Sequence, residues 1–279
     1  MEHLTDDKIL KLKKIANDIR KSIIEMLRDA GSGHTAGALG MADIFTLLYF
    51  HTLKHDPKNP FLINRDRLIL SNGHICPVLY VTMAYSGYFP IKELETLRKF
   101  GSRLQGHPHR EFMPWLETSS GPIGSGLSQA VGMAIADKIY GETKTIYAIL
   151  SDGEHDEGNI WEAIMLASKE KLSNLIVIVD RNNIQIDGNT ERVMPLGDLK
   201  DKYKEFGWFA QEVDGHNFWE INNAIYKAKM NKGTPSVIIA HTIPGKGVKE
   251  WERDYRWHGK APNKEEADMA LEELNKLYA

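Results

Sequence analysis

Asp152 and Gly153 follow directly on an apolar run, Ile149-Leu150-Ser151, and a second run, Asn174-Leu-Ile-Val-Ile-Val-Asp, ends in Arg181-Asn182-Asn183-Ile184. Open α/β sheets bind their ligands beyond the carboxyl ends of strands. Two adjacent strand ends would therefore bring together one carboxylate, one side-chain amide and backbone carbonyls. That donor set suits Mg²⁺, which demands octahedral oxygen coordination and usually takes few protein ligands, with phosphate oxygens and water completing the shell. Asp152, Asn182 and the carbonyl of Ile184 fit these roles. Gly153, lacking a side chain, would let a phosphate approach the backbone. Asp-Gly and Asn-Asn also serve as ordinary turns behind strands; it is their pairing across strand, loop, helix and strand that favours chemistry.

The elements needed to hold these residues can be read from periodicity. Ile9, Leu12, Ile15, Ile19, Ile23, Met26 and Leu27 recur at steps of three and four, which predicts a long amphipathic helix ending at Gly31. A second helix is expected from Ala42 to about Leu53. Strand-like runs at Arg67–Leu70, Thr145–Leu150, Leu175–Val179, Phe209–Val213 and Ser236–His241 alternate with helical patterns, which predicts a mostly parallel sheet with helices on both faces. Asn159, Asn217 and Asn263, each followed three residues later by Glu, have capping-box spacing. A closing helix is expected over Ala267–Leu277. The segments Gly101–Gly126 and Thr242–Asn263 lack periodicity and are rich in Gly, Pro and His; irregular loops of that length tend to be functional. No repeat, linker or low-complexity tract divides the chain, so one domain over residues 1–279 is expected.

The motifs extend along almost the whole chain. Ser32-Gly-His34 with Gly40-Met-Ala-Asp43, Ser71-Asn-Gly-His74, Gly106-His107-Pro108, Gly121-Pro-Ile-Gly-Ser-Gly126, Ser151-Asp-Gly153, Asn182-Asn183 and His258-Gly259 stand in the order of the transketolase family. The chain resembles that family's N-terminal, diphosphate-binding part, and Ser151-Asp-Gly153 resembles its thiamine-diphosphate motif with Ser in place of the first Gly. The resemblance implies thiamine diphosphate with Mg²⁺ as cofactors, Ca²⁺ or Mn²⁺ being substitutes. It implies that His74 and His258 contact the diphosphate, that Gly121 and Ile123 line the cofactor's middle, and that His34, His107 and His258 face the substrate. Glu157 matches the glutamate of the family's subunit contact. Imidazole both gives and takes protons near neutral pH, so His34 and His258 are the candidates for proton transfer. Thr35-Ala36 and Ile75-Cys76-Pro77 depart from the family's usual residues.

The resemblance further implies that the partner is a C-terminal transketolase subunit, carrying the pyrimidine-binding domain, in an α2β2 assembly that moves a two-carbon ketol unit between sugar phosphates. Gly101–Gly126 and Glu154–Gly158 would lie in the contact. Three readings stand beside this one at the level of sequence: a subunit of a 2-oxoacid dehydrogenase α-like enzyme, one of a deoxyxylulose-phosphate synthase-like enzyme, and a non-catalytic partner-binding protein of the same fold. Composition excludes broader classes. With 35 basic against 38 acidic residues, the net charge of −3 offers no field for nucleic acid or anionic lipid. The single cysteine, Cys76, allows no intrachain disulfide, and neither a signal-like h-region nor a membrane-length apolar run is present, so a cytoplasmic protein is expected.

Overall fold

The computed structural model describes residues 4–277. The expected domain over 1–279 thus includes residues 1–3 and 278–279, which lie outside the described residues, as does the start of the charged N-terminus. The sheet has strands β1 (Arg67–Leu70), β2 (Ile146–Ser151), β3 (Leu175–Arg181), β6 (Phe209–Asp214) and β7 (Ser236–His241), with a separate two-stranded hairpin of β4 (Ile184–Gln185) and β5 (Gly188–Asn189). Strand order is β1-β2-β3-β7-β6, and every pairing is parallel. The helices are α1 (Asp6–Ala30), α2 (Ala36–Gly40), α3 (Ala42–Leu47), α4 (Cys76–Tyr85), α5 (Ser125–Ile139), α6 (Gly158–Lys169), α7 (Thr190–Val193), α8 (Leu199–Glu205), α9 (Phe218–Met230) and α10 (Lys264–Lys276).

Strand side chains alternate between two cores, as a pleated sheet covered on both faces requires. Tyr147, Ile149, Ile176, Ile178 and Ile238 pack with α1 to α4, α9 and α10. Ile146, Ala148, Leu150, Val177 and Val179 pack with α5, α6 and α8. β3 is buried at all seven positions, which explains why its sequence reads as an unbroken apolar run.

The first helix follows its sequence signals closely. Thr5 Oγ1 accepts from Lys8 N–H at 3.3 Å, Asp6 and Asp7 lie at the positive end of the helix dipole, and Gly31 closes it at φ 64°. The expected second helix begins at Ala42 as α3 and runs on through a π-turn over Leu48–Thr52, close to the expected end at about Leu53; the short helix α2 before it, set off at Met41, was not expected. Inside α3, the buried Asp43 takes Arg20 Nη2 at 2.5 Å and His216 Nδ1–H at 2.7 Å. His216 Nε2 in turn accepts from Ile243 N–H at 2.8 Å. Burial alone would raise the Asp43 carboxyl, but Arg20 and His216 hold it down at about 2. The Asp of the Gly-Met-Ala-Asp block is therefore a strut that ties α1 and α3 to the turn before α9 and to the loop after β7.

The three asparagine signals part company. Asn263 forms the full reciprocal box with Glu266. Asn217 caps α9 through Trp219 and Glu220 N–H, yet the Glu220 carboxylate takes Asp214 N–H and the Asn217 amide rather than the cap's own N–H. Asn159 is no cap, because α6 starts one residue earlier behind Glu157. Its Oδ1 is buried without a partner, against Gly124.

Candidate active site

Four chain segments meet beyond the carboxyl ends of β1, β2, β3 and β7. After β1 the chain turns sharply through Ser71-Asn72-Gly73 into a short 3₁₀ turn carrying His74. Ser71 Oγ donates to Glu154 Oε1 at 2.7 Å and accepts from Gly126 N–H at 3.2 Å. Only glycine fits at 126, since a Cβ there would sit 2.5 Å from Ser71 Cβ. Glu154, wholly buried, also accepts from Gly124 and Ser151 N–H at 2.7 and 2.9 Å. Burial raises its carboxyl, against the pull of these donors. Glu154 thus fastens the start of α5 to the ends of β1 and β2. The motif reading singled out Glu157 and passed over Glu154, although an acidic residue two positions after Asp152 in a strand-end turn was a visible signal.

The oxygen donors sit one strand over. Asp152 is 1% exposed; its carboxylate accepts from Gly153 N–H at 2.8 Å, Asn183 N–H at 2.7 Å and Arg181 Nη1 at 3.1 Å. Asn183 holds a left-handed φ of 63°, which lets its N–H turn back toward Asp152. Asn182 Nδ2 donates to Asp180 Oδ2 at 2.9 Å, and its Oδ1 accepts from Ile184 N–H at 3.0 Å. Burial pushes Asp152 up to about 6 and Asp180 to about 7, with Arg181 easing the first and the neighbouring Asp152 charge worsening the second. Arg181 pairs with Asp152 alone of these two carboxylates, and its other arm is taken by Glu191 at 2.5 Å; Asp180 accepts only from the neutral Asn182 amide and Thr242 hydroxyl. This buried excess of negative charge fits a divalent cation. Among the described residues no three His, Cys, Asp or Glu side chains form a metal cage. A cation here would therefore take Asp152, the Asn182 amide oxygen and the Ile184 carbonyl, with phosphate and water in the remaining positions.

A cavity of about 490 Å³ opens beside these donors. His34, His74, His107, His258, Ile123, Gly153, Glu157, Asn182 and Ile184, all singled out by sequence, line it. Asp152 lies beneath its floor, and Gly121 lies beside Gly73, where a Cβ on Gly73 would come 3.3 Å from Gly121 N; neither lines the cavity. The rings of His34, His74 and His258 form a triangle with centroids 4.9 to 5.5 Å apart. Burial, and then the other rings, hold His34 down to about 4 and push His74 well below the usual imidazole range; burial lowers His258 and, with Arg98, His107. The four rings are therefore neutral at pH 7 and able to accept protons. His34 Nδ1 and both side-chain atoms of Asn72 are buried without partners. Sequence reading missed the β4–β5 hairpin, whose Gln185, Ile186 and Asp187 complete the wall, with Gln185 Nε2 bound to Asp156 at 2.8 Å. Two-residue strands leave too little periodicity to detect, although Ile-Asp-Gly was a turn signal.

Comparison with known proteins identifies the family. The family model for the transketolase thiamine diphosphate binding domain matches residues 11–275. The chain is 43% identical over 265 residues to the 6-deoxy-6-sulfo-D-fructose transketolase subunit SqwG of Clostridium sp., covering 95% of this chain and 96% of that one. It is 38% identical to one of the apulose-4-phosphate transketolase subunits of Phocaeicola vulgatus, covering 92% and 91%. Among solved structures, the transketolase of Leishmania mexicana superposes with a TM-score of 0.91 at 30% identity, over 98% of this chain and 42% of that one. The chain thus spans nearly the full length of the subunit relatives and well under half of that longer transketolase. It belongs to the transketolase family, as a member of its thiamine diphosphate binding domain.

Proposed function

We propose that this chain is the diphosphate-binding subunit of a two-subunit transketolase, transferring a two-carbon ketol unit from a ketose phosphate to an aldose phosphate. The observation that carries the reading is the convergence of two sets of groups on one cavity: Asn182 and Ile184 above the buried Asp152, and the His34, His74 and His258 triangle with His107. When bound, thiamine diphosphate supplies the electron sink that cleavage next to a carbonyl requires. Asp152, Asn182 and the Ile184 carbonyl hold Mg²⁺, for which Ca²⁺ or Mn²⁺ substitutes, and Gly153 gives a phosphate access to the backbone. His74 and His258 bind the diphosphate, and Gly121 and Ile123 border the cofactor's middle. Being neutral, His34 and His258 take the proton from the C3 hydroxyl oxygen of the ketose as its C2–C3 bond breaks. His107 binds the retained two-carbon fragment.

The partner is a chain carrying the pyrimidine-binding domain, in an α2β2 cytoplasmic assembly with Glu157 and the Gly101–Gly126 loop in the contact. Pentose-phosphate sugars are the default substrates, with a sulfosugar or a branched sugar as the alternatives, in keeping with the names of the sulfofructose and apulose-4-phosphate relatives. No described helix is long and apolar enough to cross a membrane. The test is the ketol-transfer rate, at saturating cofactor and Mg²⁺, of the chain alone and of the chain purified with its partner. Activity confined to the assembly, with a mass matching two copies of each chain, is the expected result; full activity from the isolated chain would overturn the split-enzyme reading.

A further inference from the structure

Arg98 stands outside the chemistry above, yet its placement is unusual on three counts. Its backbone is left-handed at φ 60°, a conformation that long side chains seldom adopt, and it is held there by Arg98 N–H donating to Leu104 O at 2.9 Å. It enters none of the ion pairs among the described residues. Its guanidinium lies against two glycines: a Cβ on Gly106 would come 2.7 Å from Arg98 Cζ, and one on Gly33 would come 3.9 Å from its Nε. Those glycines immediately precede His107 and His34. The loop before His107 is gripped by two further donors, Cys76 Sγ at 3.2 Å from Gly106 O and Tyr80 Oη at 2.9 Å from Gln105 O. Arg98 Nη2 approaches the Gly106 carbonyl at 3.4 Å. The Gly33 side has its own supports, Leu27 Cδ2 lying where a Cβ on Gly33 would stand and Thr35 Oγ1 donating to Lys260 O at 2.5 Å; the guanidinium is the group that reaches both loops.

We propose that Arg98 is a positioning residue for ketol transfer: its planar guanidinium, wedged against Gly33 and Gly106, sets the separation of His34 and His107 and so the placement of both rings on the sugar. The roles of the two histidines rest on the transketolase reading; the clamp itself does not. The charge of Arg98 works in the same direction. His34 is faced by His258, Arg98 and His107, with His74 packed beside it, and His107 by Arg98. A proton arriving on either ring would be a second positive charge beside an unpaired guanidinium, so both rings are held in the acceptor form. Lysine would keep the charge but lose the flat surface and the reach to both loops; leucine would lose all three.

The experiment follows the histidine rings of the full chain by two-dimensional ¹H–¹⁵N spectra across pH, in wild type, Arg98→Lys and Arg98→Leu, with His55 in its separate cluster with Tyr49 and Tyr88 as internal reference. In Arg98→Leu the His34 and His107 titrations should move to higher pH, while in Arg98→Lys they should match wild type. In the enzyme assembled with its partner, both variants should lose kcat, by about 10-fold in Arg98→Lys and more in Arg98→Leu, with KM within about 2-fold of wild type. Unmoved His34 and His107 titrations in Arg98→Leu would overturn the proposal, as would an unchanged kcat accompanied by a raised KM for anionic sugars, which would make Arg98 a substrate clamp instead. If the wild-type assembly transfers no ketol unit, the transketolase reading fails, and the ring titrations still decide for or against the Arg98 clamp.

Discussion

The two ends of the cavity are built on opposite terms. At the strand-tip end, Asp152, Asp180, Asn182 and Glu154 lie at the tips of buried parallel strands, and each side chain is committed to protein donors or acceptors. At the histidine end, His34, His74, His107 and His258 come from loops; the first, second and fourth touch chiefly one another, and His34 Nδ1 and Asn72 keep buried atoms without partners. Buried polar atoms left unpaired cost free energy, so the histidine end is strained toward a ligand while the strand-tip end is already organised. One end is an anchor, and the other waits for the groups that react.

The comparison can be broken most sharply at the anchor. Asp152→Asn keeps the side chain's shape and removes its charge; thiamine diphosphate affinity of the assembled enzyme in the presence of Mg²⁺, measured by calorimetry, should fall by more than about 100-fold. Binding at wild-type strength would mean that the cation sits elsewhere. At the reactive end, His34→Ala should slow ketol transfer by about 100-fold, within the usual range for a general acid–base group, and change cofactor affinity little. A large loss of cofactor binding in that variant would erase the distinction between the two ends.

A smaller effect sharpens the anchor. His155 is buried directly behind Asp152, its Nδ1–H between the carbonyls of Ser151 and Asp152 at 3.1 Å and its Nε2 accepting from Tyr203 Oη at 2.9 Å. Burial holds it down to about 4 from an ordinary 6.5. The unfolded chain therefore binds the proton first as pH falls; the stability contributed by neutral His155 is complete above about 6.5 and is lost progressively toward 4. Urea unfolding should give about 1–2 kcal/mol less stability at pH 5 than at pH 7 from this group, and His155→Gln should flatten the slope. A slope unchanged in the variant would assign it to other groups. The least effect belongs far from the cavity: Asn263→Ala removes the α10 capping box and should cost about 1 kcal/mol in thermal unfolding with ketol transfer unaltered.

Legibility in the sequence divides along the same line. The anchor could be read because strands buried on both faces leave continuous apolar runs, and the polar residue that ends each run marks a strand tip; Asp152 and Asn182 were found in this way. The histidine end could not be read from periodicity, since His34, His107 and His258 sit in loops far apart in the chain, and only the order of the family's motifs brought them together. Glu154 was missed because its partners, Ser71 and Gly124, are distant in sequence. Asn159 misled because the capping-box spacing ignores where the backbone bends; Glu157, in extended conformation at φ −85°, already starts the helix. The β4–β5 hairpin escaped because strands of two residues each show no period.

The most direct test of where the cofactor's metal is held is a crystal of the chain with its partner, thiamine diphosphate and Mn²⁺, with data collected to show the anomalous signal of manganese. The account predicts a single peak in the cavity, about 2.1 Å from an Asp152 carboxylate oxygen, Asn182 Oδ1 and the Ile184 carbonyl. A cofactor seated in the cavity with the manganese peak away from these three oxygens would contradict it.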